Sequence, residues 1–320
     1  MKILTSPTKE REIEGRDPKS GEPPLVNLAE ITEIELLILR RMREFTIGEH
    51  RSLFHGSGFD FVGLRDWQPG DRLAAIDWPQ STITNFSPLV VRDFAQPSTA
   101  GVMAVADVSP STRCGIDSTP IAAAIARAIG TIGISAVFFQ DTFGLITFDA
   151  GFTHLAAVRP RIGKNQVIHC LDAYQYQRGL QDVKEADSLS GRIAGYIRKP
   201  SLIPVISDFL FDDAKTVIGE LTQLNSTHDV VLVLIDSAFA YEMPPVSSGW
   251  VEAFDVETGR SRVMSRKTLH TLGKRARAWQ DDVHQMAKAV DIDVLRLGLD
   301  EIESAVSLSE FVAERRLRKS

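Results

Sequence analysis

The sequence predicts an α/β domain built on a mostly parallel β-sheet with helices on both faces. From residue 101 onward, apolar strand patterns alternate with helical patterns, an order typical of such folds. The run at 230–235 is apolar without interruption, as expected for a strand buried on both faces. A chain of 320 residues with 43% hydrophobic content is also long enough to bury a large core.

Upstream of this domain, we expect a flexible leader at 1–26 and then a helix with a β-rich block at 27–98. The leader is dense in charged residues, glycine and proline. Residues 28–45 have the apolar spacing of a helix, whereas 51–94 consist of short aromatic segments punctuated by glycine and proline. The α/β domain itself is expected over 99–320.

Within the α/β domain, strands and helices are expected to follow one another along the chain. The expected strands lie at 101–106, 143–148, 202–206, 230–235 and 292–297, with a short edge strand at 153–158 and a hairpin over 250–263. The expected helices lie at 118–138, 162–173, 188–198, 213–224, 267–289 and 301–317. Asp117 and Ser118 are candidate caps of the first helix, with Pro120 in its first turn.

Composition narrows the classes of function. The net charge is −6, from 36 basic and 42 acidic residues, so no basic surplus favours nucleic acid or an anionic membrane. The two cysteines, Cys114 and Cys170, lie far apart and predict neither a disulfide framework nor a zinc site. No secretory signal is visible, and no apolar run reaches the roughly 20 residues that a membrane span needs. We therefore expect a cytoplasmic protein.

The most informative residues are Asp107, Ser109 and Ser111, which directly follow the first strand of the α/β domain. In an extended turn, residues at positions i, i+2 and i+4 project to the same side. One carboxylate and two hydroxyls would then surround a common point, as hard oxygen ligands that suit Mg²⁺ or Mn²⁺. The arrangement resembles the metal-ion-dependent adhesion site of von Willebrand factor A domains.

A second strand, at 202–206, ends in Ser207 and Asp208, so Asp208 could supply a late acidic ligand to the same site. The alternative is that both segments are only turn and cap chemistry, because Asp and Ser also satisfy free backbone amides. The residues alone leave both interpretations open. If Asp107 is a ligand it should lie near the surface, so that Asp107→Ala would remove metal binding without unfolding the domain.

A longer block resembles the signature of the DUF58 family. It reads Gly56-x-Gly58-x-x-Phe61-x-x-Leu64-Arg65-Asp66-Trp67-Gln68-Pro69-Gly70-Asp71-Arg72-x-x-x-Ile76-Asp77-Trp78. Further matches are Val91-Arg92-Asp93-Phe94, the segment from Asp107 to Ser111, Ile206-Ser207-Asp208-Phe209 and Phe254-Asp255-x-Glu257-Thr258-Gly259. The resemblance extends over about residues 30–315.

The resemblance implies a von Willebrand A-like (Rossmann-like) α/β core with no known catalytic activity. Members of the family often accompany MoxR-type AAA+ ATPases, and are thought to be adaptors that mature protein complexes or insert metal cofactors. By position, Asp107, Ser109 and Ser111 would form the first metal loop, and Asp208 the late ligand. The Gly-Thr turn of the adhesion site is missing here, and Ser188 could replace its threonine hydroxyl.

The competing interpretation is an enzyme, namely a Mg²⁺-dependent phosphohydrolase of the haloacid-dehalogenase type. Such an enzyme also places an aspartate after its first strand, but it needs a second carboxylate two residues later. Position 109 is serine, so we expect a non-catalytic protein. The phosphate-binding pattern G-x-x-x-x-G-K-[ST] does not occur in the sequence, so the expected ATPase is a partner rather than this chain.

Four residues of the signature block have no assigned chemistry: Arg65, Asp71, Asp77 and Trp78. Pro69-Gly70-Asp71 is favourable for a turn, and Arg65 could pair with Asp77 across it. We expect a structural role for these residues, with a docking surface as the alternative.

Overall fold

A computed structural model describes most of the chain. The described residues are 3–4, 24–48, 60–68, 76–95, 100–113, 115–116, 119–149, 152, 154–211, 213–238, 250–255, 260–298 and 300–318. The leader expected at 1–26 lies largely outside them, as do Asp71, Asp117, Ser118 and the hairpin turn at 256–259.

The elements are numbered in chain order. They are β1 (Ile3–Leu4), α1 (Leu28–Gly48), β2 (Asp60–Asp66), α2 (Trp78–Ile83), β3 (Val90–Ala95), β4 (Gly101–Asp107), β5 (Gly115–Ile116), β6 (Thr119–Pro120), α3 (Ile121–Phe138), β7 (Thr142–Phe148), β8 (Leu155–Arg161), α4 (Lys164–Tyr176), β9 (Gln181–Asp182), α5 (Leu189–Tyr196), β10 (Ser201–Ser207), α6 (Ala214–Asn225), β11 (Asp229–Ile235), β12 (Trp250–Asp255), β13 (Arg260–Ser265), α7 (Arg266–Lys288), β14 (Asp293–Leu297) and α8 (Glu301–Arg318).

The described chain divides into two compact units. One comprises Met1–Leu39 with Ala100–Lys319, and the other comprises Arg40–Thr99. The first twelve residues of α1, Leu28–Leu39, therefore belong to the larger unit, whereas the sequence grouped the whole helix with the β-rich block.

Seven described strands form the central sheet of the larger unit, in the order β14-β11-β10-β4-β7-β8-β9. The five strands from β14 to β7 are parallel, whereas β8 and β9 each pair in antiparallel fashion with the preceding neighbour. β4 and β11 are buried along almost their whole length, because helices cover the sheet on both sides. The predicted α/β class is confirmed.

Two layers of helices sandwich this sheet. α3 packs against α4 and α8, while α6 packs against α5 and α7. Alternate residues of each strand project to opposite faces, so Met103 and Val105 face one layer. In that layer they share a buried cluster with Ile193 of α5, Leu221 of α6 and Val283 of α7.

α3 is, among the described helices, the one that is long and apolar enough to cross a membrane. In this fold 78% of it is buried against the sheet and neighbouring helices. Its uniform apolarity is therefore explained by its place in the core, where one helix must be covered on nearly all sides.

Two expectations differ from the structure in detail. The helix expected at 118–138 begins only at Ile121, because Thr119 and Pro120 pair with Gly115–Ile116; no side chain caps it. The strand expected at the edge of the sheet at 153–158 is β8, which is an inner strand because the two-residue β9 completes the sheet beyond it.

In its described part, the smaller unit contains the end of α1, an antiparallel pair of strands and one short helix. β2 pairs with β3, with an irregularity between Phe61 and Gly63. The helix α2, which the sequence did not predict, is connected to β3 by Ser81, whose hydroxyl accepts a hydrogen bond from the backbone N–H of Val90 at 2.9 Å. The expected short strands in this block are therefore present.

Candidate functional site

The direction in which successive strands are added to the sheet reverses between β4 and β10. After β4 the chain proceeds outward through β7, β8 and β9, then returns to add β10, β11 and β14 on the other side of β4. Such a reversal opens a crevice at the carboxyl ends of the two central strands, and ligands of open α/β sheets bind there. β4 ends at Asp107 and β10 ends at Ser207, so both predicted acidic segments lie at this crevice.

Asp107 is held by one donor from each strand end. Its Oδ1 accepts a hydrogen bond from the backbone N–H of Ser109 at 2.8 Å, and its Oδ2 accepts one from the hydroxyl of Ser207 at 2.6 Å. Tyr174 of α4 donates to the Asp107 backbone carbonyl at 2.9 Å. These contacts fix the carboxylate between two strands that are 100 residues apart in the chain.

Ser109 and Ser111 face one another beside Asp107. Their hydroxyl oxygens are 2.8 Å apart, and both residues are buried. A short 3-10 turn, Pro110–Arg113, brings Ser111 back over Ser109, and the Thr112 hydroxyl secures the turn by donating to the Ser109 carbonyl at 2.7 Å. The alternating spacing thus places two hydroxyls together, as predicted from the pattern.

Asp208 follows β10 in a turn of the same kind. Its Oδ1 accepts a hydrogen bond from the backbone N–H of Leu210 at 3.2 Å, and the Ser207 hydroxyl accepts one from Phe209 at 2.9 Å. Phe209 adopts a left-handed backbone with φ of 53°, which turns the chain sharply after the strand.

Asp107 and Asp208 are close enough for their charges to interact. Burial raises the pKa of the Asp107 carboxyl above its ordinary value of 3.8, and the negative charge of Asp208 raises this pKa further. The hydrogen bonds from Ser207 and Ser109 lower it in part. Two neighbouring buried carboxylates repel each other, so a cation bound beside them would be electrostatically favourable.

The cluster is closed to solvent, contrary to the expectation that Asp107 would lie near the surface. Asp107 is 2% exposed, and Asp208 is fully buried. Removing the Asp107 carboxylate would leave the Ser207 hydroxyl and the Ser109 amide without an acceptor inside the protein. Asp107→Ala is therefore expected to cost stability, and Asp107→Asn is the milder variant.

Ser188 lies at the start of a helix and not at the end of a strand. It is the N-cap of α5, where its hydroxyl accepts a hydrogen bond from Gly191 at 3.0 Å and lies 3.2 Å from the Ser190 hydroxyl. Together with Asp187 and Asp213 it lines a surface pocket of about 330 Å³, which none of the four other predicted ligands lines. Its role as a metal ligand stays a prediction.

A third strand end of the same type was missed by the sequence analysis. β11 is followed by Asp236, whose Oδ1 accepts a hydrogen bond from Ala238 at 3.0 Å, and by the fully buried Ser237. Gln280 of α7 donates to the carbonyls of Asp208 at 2.9 Å and Ile235 at 2.8 Å. In the sequence, the apolar strand followed by Asp-Ser was the available signal for this turn. No sequence pattern indicated the role of Gln280.

The donor set fits Mg²⁺ or Mn²⁺ in its chemistry. Asp107, Asp208, Ser109 and Ser111 offer only oxygen ligands, two of them carboxylates, in a buried position. Among the described residues, no group of three or more His, Cys, Asp or Glu side chains could hold a metal, so a site at this position depends on the serine hydroxyls.

The signature block is described only in part. Asp77 caps α2, since its Oδ1 accepts a hydrogen bond from the Gln80 amide at 3.2 Å, and Trp78 begins the helix with its side chain 55% exposed. Asp71 and the side chain of Arg65 lie outside the described part, so the pairing of Arg65 with Asp77 stays a prediction.

A sequence model of the family described as "Protein of unknown function DUF58" matches residues 63–282. No curated protein matches the sequence. Fourteen chains of solved structures also match this chain, and three of them follow. The first, an aerotolerance-related membrane protein from Bacteroides fragilis NCTC 9343 with multiple mutations to serines, is 14% identical with a TM-score of 0.41, covering 67% of this chain and 99% of that one.

The second is the conserved hypothetical protein BatB from Bacteroides thetaiotaomicron, which is 13% identical with a TM-score of 0.39, covering 68% of this chain and 99% of that one. The third is the pilus adhesin SpaC from Lactobacillus rhamnosus GG, which is 10% identical with a TM-score of 0.38, covering 69% of this chain and 31% of that one. Likenesses this distant say nothing about the function of the chain.

Proposed function

This chain belongs to the DUF58 family, and on that premise we propose that it is a non-catalytic protein-interaction module whose binding depends on a divalent metal ion. The carrying observation is the buried pair of carboxylates, Asp107 and Asp208, at the crevice between β4 and β10. Two serine hydroxyls lie beside the pair. The repulsion between the two carboxylates would make the binding of a cation electrostatically favourable.

Mg²⁺ or Mn²⁺ is the proposed cofactor. Asp107, Ser109, Ser111 and Asp208 would hold it, with Ser188 as the further candidate, and the bound ion would supply a positive charge able to accept an oxygen ligand from another molecule. Ser207 and the Ser109 amide orient the Asp107 carboxylate, and the turn at Phe209 orients Asp208. The chain itself therefore provides the positioning.

The proposed partners are a MoxR-type AAA+ ATPase and a client protein complex that matures or receives a metal cofactor. Support comes from the family resemblance of the signature block and from the chemistry of the site, which suits a carboxylate of the partner as the completing ligand. Since the cluster is nearly closed to solvent, we propose that the turns after β4 and β10 open when the partner docks.

Affinity capture tests this function. Tagged wild-type protein is used to capture partners from the source lysate in Mg²⁺ and, in parallel, in EDTA, with the recovered proteins identified by mass spectrometry. We expect an AAA+ ATPase to be recovered in Mg²⁺ only, and to be lost with Asp107→Asn.

Asp236→Asn is the matched control, because Asp236 makes the same kind of turn at the end of β11. It should capture the ATPase like the wild type. Capture that ignores both EDTA and Asp107→Asn would contradict the metal-dependent role. Hydrolysis of p-nitrophenyl phosphate that requires Asp107 would contradict the non-catalytic role and favour the phosphohydrolase alternative.

A further inference from the structure

The first half of α7 carries a row of basic side chains, which we call the cationic stripe: Arg266, Lys267, His270, Lys274 and Arg277. All five side chains are exposed. At 3.6 residues per turn they fall within an arc of about 100° around the helix axis and extend along roughly 16 Å of it. The stripe thus presents a basic side chain at each successive turn.

The stripe contains no acidic residue along its own stretch of chain. The segment from 260 to 280 contains seven Lys or Arg residues and no Asp or Glu, although the whole chain has a net charge of −6. Within the described part of the chain, Arg266, Lys267, Lys274 and Arg277 make no ion pair. The stripe ends at Asp281, whose charge is already paired with Arg296 at 2.7 Å.

This placement of charge is unfavourable for the isolated helix. Arg266 and Lys267 occupy the first turn, where the helix dipole favours acidic residues, and no acidic residue lies there. Like charges three or four residues apart, such as Lys274 and Arg277, repel each other. Both effects are unfavourable, so an anionic partner along the stripe would reduce the repulsion.

Apolar surface adjoins the start of the stripe. Trp250 and Val263 are 65% and 68% exposed on the hairpin formed by β12 and β13. Trp250 pairs with Ser265, the N-cap of α7, and Val263 pairs with Glu252, so the positions of Trp250, Val263 and Glu252 are on one face of the hairpin. Trp and Arg are the residue types that dominate binding energy in protein interfaces.

We propose that the cationic stripe, with Trp250 and Val263, is a docking surface for an acidic helical segment of a partner protein. An acidic residue at every turn of a second helix would match the spacing of the cations. An anionic membrane is the less suitable occupant, because the apolar face of α7, with Leu269, Ala276 and Val283, is already buried inside the domain. This surface goes beyond the metal site and does not require Mg²⁺.

The experiment measures binding of a fluorescein-labelled, alanine-rich helical peptide with glutamate at every turn along one face, by fluorescence anisotropy in EDTA. A peptide of the same composition with its glutamates distributed around the helix serves as the comparison. We expect the one-faced peptide to bind about 10-fold more tightly, and more weakly as ionic strength rises. Because EDTA is present throughout, failure here is independent of failure at the metal site.

Variants test whether the one-faced peptide binds to the stripe. Lys274→Glu combined with Arg277→Glu should weaken binding of the one-faced peptide by about 10-fold or more, since two attractions become repulsions. The matched control is Arg275→Glu, which changes an exposed neighbour on the other side of the helix and should change affinity by less than about two-fold. Trp250→Ala tests the apolar end of the surface and should also weaken binding.

Two outcomes would overturn the proposal. Equal binding of both peptides, or equal loss with Arg275→Glu, would show general charge attraction rather than a docking surface. Stripe-dependent binding of phosphatidylserine-containing vesicles without specific binding of the one-faced peptide would assign the surface to a membrane instead.

Discussion

Three aspartates at neighbouring strand ends make the same local turn, and one of them, Asp107, is also bound by a side chain of the neighbouring strand. Asp107, Asp208 and Asp236 each accept a hydrogen bond from the backbone N–H two residues later. Asp107 also accepts a side-chain hydrogen bond from the next strand, from Ser207 at 2.6 Å. The hydrogen bond from the Ser207 hydroxyl therefore links the end of β10 to the end of β4.

Ser207→Ala should destabilise the protein by about 2–3 kcal/mol, because it removes a donor from a buried carboxylate and an acceptor from the Phe209 amide. Ser237→Ala is the matched control, since Ser237 is equally buried but its contact with Gln280 is a long one of 3.4 Å. It should cost about 1 kcal/mol or less. Urea unfolding in EDTA measures both, and equal losses would contradict the special role of Ser207.

The raised pKa of Asp107 predicts a pH dependence of stability. Above the ordinary pKa of 3.8 the unfolded protein releases this proton, while the folded protein retains it up to its own higher pKa. In that window the contribution of Asp107 to the free energy of unfolding falls as pH rises, by at most about 1.4 kcal/mol per pH unit.

Asp107→Asn removes this titration, so the wild type should lose stability relative to the variant as pH rises through the window. Urea unfolding of both proteins across a pH series, in EDTA, gives the difference. A difference that stays constant, or that grows in favour of the wild type, would mean that Asp107 is not destabilised by burial and by Asp208.

At the scale of the elements, the sequence was most informative where the core dictates the pattern. The interiors of β4, β10 and β11 are apolar because helices cover both faces, polar residues stand only at their ends, and each strand lies within one residue of its expected bounds. The start of α3 was misplaced because Thr119 and Pro120, which suit a helix entry, pair with a short strand instead. The six-residue α2 is too short to show a helical period.

Close approach of helices is the other element property that sequence patterns do not show. Gly133 lies in the middle of α3, where a Cβ would come within 2.7 Å of Val167 in α4 and 3.0 Å of Phe143 in β7. Glycine normally weakens a helix, but at this position its lack of a side chain permits the contact between α3 and α4.

Gly133→Ala should therefore destabilise the protein by about 1–3 kcal/mol through overpacking. Gly219, in the exposed part of α6, has nothing within 4 Å of its Cβ position, so Gly219→Ala should stabilise by about 0.5–1 kcal/mol. Thermal unfolding compares the two variants. Stabilisation by both would show that α3 and α4 are not in close contact at Gly133.

At the scale of the whole molecule, the sequence predicted only the part of the site whose residues lie close together in the chain. The pattern of Asp107, Ser109 and Ser111 showed a cluster because its members are two residues apart. The contribution of Ser207 depends on a contact across 100 residues of chain, which no local pattern encodes. Ser188 was considered as a possible ligand, and its role as the N-cap of α5 was not predicted.

The distribution of charge was also hidden by the sequence order. Basic residues are easy to see in the sequence where they lie side by side, as at 315–319, where four of five residues are Arg or Lys. The cationic stripe is spread over the turns of α7, so it becomes visible only when the residues are projected onto the helix. The net charge of −6 is a sum over the whole chain and therefore does not show the cationic stripe on α7.

The central claim is that Asp107 and its neighbours hold a divalent cation. Isothermal titration calorimetry of Mg²⁺ into purified, metal-stripped protein tests it most directly, using wild type, Asp107→Asn and the Asp236→Asn control. We expect one Mg²⁺ to bind per chain in the wild type and in Asp236→Asn, and no binding in a folded Asp107→Asn protein. Unchanged Mg²⁺ binding in Asp107→Asn, or no binding in the wild type, would contradict the metal site.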